Sequence, residues 1–230
     1  MITHPLTLRR TARSSSRGGF TLVELLVVIG IIAILAGVAL GPITNGIKQA
    51  KHNAALQQVR QLGQVCFSYS TDSPTGHYPY GATGAAIAQS LVTANYISDP
   101  SIFVVSSQSG ASAGTISSGS ANISSNNISY SFTIVSATTG ITSNTSDLIP
   151  LVYFNNAPGT AVSGAFPYTA GTALNVTYGS AAPFGTDGAA IFYKGNNAVY
   201  EKAGLTVSGV GAVQFISGSC TDTTAYTVAP

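Results

Sequence analysis

Charge is what this sequence has least of. Only 7% of its 230 residues are charged, and no Lys or Arg occurs between Arg60 and Lys194. Phosphate contacts are made by Lys and Arg, so this long stretch offers little for direct nucleic-acid binding, and none is expected. Cysteine is scarce too: Cys66 and Cys220 are the two present. They are too few for a disulfide scaffold and leave two readings open, one bridge or two thiols. Histidine is limited to His4, His52 and His77, scattered along the chain. With no Gly-rich phosphate loop, HExxH motif or nucleophile elbow, no enzyme site is expected. Low charge does not mean disorder here. Disordered chains are poor in aromatics, whereas this one has 11 Tyr and 9 Phe.

The formal net charge of +2 is misleading. Arg9, Arg10, Arg13 and Arg17 all precede Phe20. Without them five basic residues face seven acidic ones, a net of −2. The basic stretch ends in Gly18-Gly19, followed by Phe20-Thr21-Leu22-Val23-Glu24 and then sixteen apolar residues from Leu25 to Leu40. As a helix, 20–40 would span roughly 31 Å at ~1.5 Å per residue, which matches a bilayer's hydrocarbon core. Arginines on one side only predict a cytoplasmic N-terminus.

Two simpler readings compete. A secretory signal peptide has the same basic and apolar regions, with small residues near Ala36–Ala39 as a cleavage site. A one-pass anchor explains the apolar run equally well. Neither explains Glu24, whose carboxylate would cost about 2.5–3.5 kcal/mol near a bilayer centre and less toward its edge. The string Gly18-Gly19-Phe20-Thr21-Leu22-Val23-Glu24-Leu25-Leu26-Val27-Val28-Ile29 resembles the processing and methylation motif of type IV pilins and type II secretion pseudopilins. The resemblance implies cleavage between Gly19 and Phe20 by a prepilin peptidase and N-methylation of Phe20. It also implies a role for Glu24 in subunit assembly, pairing with the new α-amine of a neighbouring subunit. The implied partners are that peptidase and methyltransferase, identical or related pilin subunits, an inner-membrane assembly platform driven by a cytoplasmic ATPase, and the lipid bilayer.

Gly41-Pro42 predicts a kink or local melting of the helix, because proline removes a donor and crowds the preceding turn. Beyond it, Ala55, Val59, Leu62, Cys66 and Tyr69 recur at helical spacing. One helix is therefore expected over 20–70, stopped by Ser70-Thr71-Asp72-Ser73-Pro74. Lys48, Lys51 and His52 read as its solvated face.

The remainder, 71–230, is expected to be an extracytoplasmic, β-rich head. A short helix is expected over Ala85–Tyr96, and an exposed loop over Ser106–Ser125. Asn127–Val135 alternates and predicts a half-buried strand. Further strands are expected at Leu148–Phe154, Leu174–Tyr178, Ala189–Tyr193, Ala198–Glu201 and Val210–Ile216, with Lys194–Asn197 as a hairpin turn. The phrase Tyr96-Ile97-Ser98-Asp99-Pro100 and the stretch from Pro183-Phe184-Gly185 to Glu201 resemble heads of environmental prepilin-type secretion proteins. Sequons begin at Asn122, Asn127, Asn144 and Asn175, as chance allows in such a composition. Asp147 and Asp187 are candidate Ca²⁺ ligands, though their spacing forms no calcium loop; no other cofactor or metal is expected.

The expected class is α+β: a long N-terminal helix, membrane or filament stalk in its first half, packed on an antiparallel sheet. The expected role is a subunit of a secretion pseudopilus. A surface pilus for adhesion, motility or DNA uptake is the alternative, and a tethered binding module that never polymerises is the different-class alternative. If Val210–Ile216 crosses the helix, Cys66 and Cys220 could approach to bridging distance.

Overall fold

A computed structural model describes residues 19–117, 120–160, 163–164, 174–202, 212–216, 220 and 226–229. The chain divides into two compact units, Met1–Ile47 and Lys48–Pro230. One helix, α1 (Leu22–Asp72), begins in the first and ends in the second. The helix runs on both sides of Pro42, which supplies no N–H to the ladder, so the local melting offered as one outcome at Gly41-Pro42 does not occur. The Thr44 hydroxyl donates to the Gly41 carbonyl at 2.8 Å, and the rest of the ladder carries the helix past the proline.

In the second unit α1 buries His52, Ala55, Val59, Leu62, Gly63, Cys66 and Ser70. These positions follow the 3–4 spacing that puts side chains on one helical face. The anticipated Tyr69 is only half-buried and packs its ring on Tyr96 instead. A second helix, α2 (Gly84–Thr93), is started by Thr83, whose extended backbone lets its hydroxyl accept the Ala86 amide. It ends before Asn95, which adopts a left-handed φ of 61°.

The strands are β1 (Thr115–Ser117), β2 (Ser120–Asn122), β3 (Tyr130–Ile134), β4 (Pro150–Phe154), β5 (Ser163–Gly164), β6 (Leu174–Thr177), β7 (Gly188–Tyr193), β8 (Asn197–Lys202), β9 (Ala212–Ile216) and β10 (Thr227–Ala229). They form an antiparallel five-stranded sheet, β10-β3-β4-β7-β8, a three-stranded sheet, β5-β6-β9, and the pair β1-β2. β7 and β8 make the anticipated hairpin, turning through Asn196 at φ 60°.

Cross-strand register assigns the faces. Tyr130 lies opposite Phe154, Phe132 opposite Val152, and Val152 opposite Phe192. That face meets α1: the Tyr130 hydroxyl reaches Gln58 Oε1 at 3.4 Å, and Phe192 lies against Gly63. Gly63 carries no Cβ because the Phe192 ring occupies the space one would fill.

The other face carries Ser131, Thr133 and Tyr153 and meets the three-stranded sheet. The Tyr153 and Phe215 rings pack edge to face at 4.7 Å. The Tyr178 hydroxyl donates to the Phe154 carbonyl and the Tyr193 hydroxyl to the Phe215 carbonyl, both at 2.9 Å.

This second layer corrects the half-buried reading of β3, all five residues of which are buried. Alternation showed one apolar face but not that the hydroxyl face is covered too. A second correction concerns Ser106–Ser125. It holds the antiparallel pair β1-β2, and Ala121 and Ile123 are buried. Its small polar residues concealed a structured segment. Of Val210–Ile216, the part before β9 lies outside the described residues.

Candidate functional site

The helix start places the residues of the motif. Thr21 and Glu24 form a reciprocal capping box, the side chain of each satisfying a free amide of the other. The Glu24 carboxylate accepts from the Thr21 amide at 2.8 Å and from the Thr21 hydroxyl at 2.9 Å. The Glu24 amide donates back to the Thr21 hydroxyl oxygen at 3.2 Å. The first amides of a helix have no intrahelical acceptor, and a carboxylate there also meets the favourable end of the helix dipole.

Immediately upstream, Gly19 and Phe20 are exposed and non-helical. A Cβ at Gly19 would find no described atom within 4 Å. Downstream, every residue from Leu22 to Ile47 is exposed. That is far more contiguous apolar surface than a soluble monomer leaves in water. The helix is long and apolar enough to cross a membrane, with a mean hydropathy of 2.8 over its most apolar 18-residue window.

The chemistry follows from this order. Hydrolysis of the Gly19–Phe20 bond would leave an α-amine one residue before Thr21. Its reference pKa is about 8, so it is mostly cationic at neutral pH and needs a counter-ion in an apolar setting. Glu24 is already held at that end of the helix. Thr21 was not singled out by sequence reasoning, although the T-x-x-E spacing signals such a box.

The other candidates lie elsewhere. Cys66 is an unbridged thiol, 2% exposed, and Cys220 is also buried. Burial pushes the Cys66 thiol up to about 12. Asp147 is taken by Lys194 at 2.9 Å and Asp187 by Lys48. Among the described residues no three His, Cys, Asp or Glu side chains cluster as metal ligands would. His52 stacks on Tyr200 with ring centres 4.3 Å apart. The ring Nδ1 of His77 lies 3.0 Å from the Gly140 carbonyl. His4 falls outside the described residues.

A capped helix start leading into an exposed apolar helix, long and apolar enough to cross a membrane, fits a membrane-anchored chain. Residues 14–40 match the prokaryotic N-terminal methylation motif, the signature of type IV pilins and pseudopilins. The chain carries that signature on an α+β fold in which a long helix packs on an antiparallel sheet. The motif implies processing by a prepilin peptidase and assembly with pilin-type subunits, which are structural proteins rather than enzymes. No curated protein and no solved structure matches the chain.

Proposed function

We propose that this chain is a structural subunit of a type II secretion pseudopilus. A prepilin peptidase cuts between Gly19 and Phe20, and Phe20 is N-methylated. The subunit waits in the inner membrane with its N-terminus cytoplasmic and its head outside. An assembly platform then moves it into a helical filament, where the helix exchanges lipid contacts for those of neighbouring subunits. Glu24 pairs there with a neighbour's α-amine and selects one stagger, which apolar packing alone would leave free to slide.

One observation carries this reading: Leu22–Leu40 is apolar and exposed on all sides, and its one ionisable side chain lies in its first turn, close to Gly19-Phe20. A disposable signal or a plain anchor needs neither that carboxylate nor a chain built continuously from it into the head.

Electron microscopy of sheared cell-surface material, labelled with antibody to the head, tests it. A pseudopilus subunit gives fibres only when overproduced, and a surface pilin gives long fibres at native levels. A tethered module gives none under either condition and sinks the filament reading. Gly19→Val should leave the chain at full length. An unmethylated N-terminus near residue 40 in the wild-type protein, found by mass spectrometry, would instead mark residues 1–40 as a signal peptide.

A further inference from the structure

In so charge-poor a chain, each charge left without an internal partner stands out. Two lysines of the second unit are neutralised internally, Lys48 by Asp187 and Lys194 by Asp147. Arg60 donates to Gln57 Oε1. Lys51 is exposed and joins no ion pair among the described residues. Two anions are also exposed: Asp72, which accepts the Tyr96 hydroxyl at 2.8 Å, and Asp99, which accepts the Ser101 amide at 2.9 Å. Each carboxylate keeps oxygen lone pairs to spare.

Two of these charges lie on one side of α1. Lys51, Gln58, Val65 and Asp72 follow at seven-residue spacing, and a straight helix drifts about 20° per heptad, or about 60° from Lys51 to Asp72. Lys51 stands at the start of this stripe and Asp72 at its end, roughly 31 Å apart at ~1.5 Å per residue. Between them lies a groove of about 400 Å³ lined by Gln58, Gln61, Val65, Tyr96, Asp99 and Ile102. Within one molecule Lys51 is much too far from Asp72 to pair with it. Two copies side by side in register would set Lys51 against Lys51 and Asp72 against Asp72. Offset along the axis, they bring cation to anion.

We propose that this face of α1 docks a second copy of this chain, with Lys51 of one copy at the groove that Asp99 of the next lines, near Asp72, which accepts from the groove's Tyr96. The inference rests on the filament reading and deepens it. Because the two patches differ, the contact is head-to-tail. Such a contact leaves a free patch at each end and generates an open helical series unless its rotation closes a ring. Repulsion between like patches disfavours the unstaggered pair.

The test uses the full-length chain in its membrane, with protease resistance of the head as the folding control. Lys51→Glu, and separately Asp72→Lys with Asp99→Lys, should each lower sheared-filament yield about tenfold or more, the effect of placing like charges at a docked contact. All three substitutions together should restore most of the yield. Independently, a chain carrying Lys51→Cys and Asp99→Cys should give a ladder of covalent multimers on oxidation of filaments, and neither single variant should. Unchanged yield from the single-sided reversals, or no ladder from filaments carrying both cysteines, would overturn the inference while leaving the filament reading intact. Full maleimide labelling of Gln61→Cys in intact filaments would also overturn it, since the groove would then be open to another ligand. Absence of wild-type filaments would remove the filament reading and this inference with it.

Discussion

Thr21 and Glu24 share three hydrogen bonds at the first turn of α1, which start the helix. The proposed function gives Glu24 a second, separable duty, to meet an α-amine in the assembled state. Loss of a cap costs about 0.5–2 kcal/mol, too little to unseat a helix held by lipid. Glu24→Ala should therefore still be cut, methylated and retained in the membrane, yet assemble poorly. Normal filament yield from that variant would refute the ion-pair account. Thr21→Val removes the hydroxyl and leaves the carboxylate, so it should lower yield less than Glu24→Ala, and Thr21→Ser should restore it.

Cys66 lends itself to a chemical test. With its thiol pushed up to about 12 by burial, it is almost wholly protonated at neutral pH, and only the thiolate reacts readily. It should resist alkylation in the folded protein and react once the protein is unfolded without reductant. Reaction only after reduction would reveal the bridge to Cys220.

Among the elements, α1 and the β7-β8 hairpin were the most legible in the sequence. Ala55, Val59, Leu62 and Cys66 announce their helical face, and Lys194–Asn197 announces the turn between β7 and β8. What stayed hidden depended on partners distant in sequence. The hydroxyl face of β3 reads as a solvent face until Phe215 of β9 and Tyr178, which follows β6, are known to cover it. β5 and β10 are two and three residues long, too short for any period to show. In the motif, Gly19, Phe20 and Glu24 stand out by residue type and order, whereas the part Thr21 plays is signalled only by the T-x-x-E spacing.

Gly63 offers a test of the helix–sheet contact. Alanine is the better helix former by about 1 kcal/mol, so Gly63→Ala would stabilise an exposed helix. Here the new methyl meets the Phe192 ring, and overpacking a core typically costs about 1–3 kcal/mol. The variant should be less stable to denaturant, and Phe192→Leu in the same chain should recover part of the loss. Stabilisation by Gly63→Ala alone would mean that α1 does not approach β7 this closely.

For the whole molecule, scarcity of charge makes the buried phenols the main titrating load. Burial raises Tyr130, Tyr153, Tyr178, Tyr193 and Tyr200 above the ordinary phenol range, as it raises Cys66. For each group the folded state holds its proton more tightly than the unfolded state. Their contribution is therefore fully present below the unfolded values, near 8.5 for Cys and 10 for Tyr, and is lost as pH rises through the folded ones. On the acid side, Asp99 is held below its ordinary value by the Ser101 amide. Its contribution is present above that ordinary value and disappears as pH falls through the lowered one. The protein should thus keep its stability up to about pH 9 and lose it steeply above pH 10. Ultraviolet titration in detergent should show exposed phenols ionising first and the fully buried Tyr130, Tyr153 and Tyr178 only together with loss of tertiary structure. A single smooth titration of all 11 tyrosines near pH 10, with the fold intact, would contradict the two-layered core, because phenols there could not ionise without exposure to water.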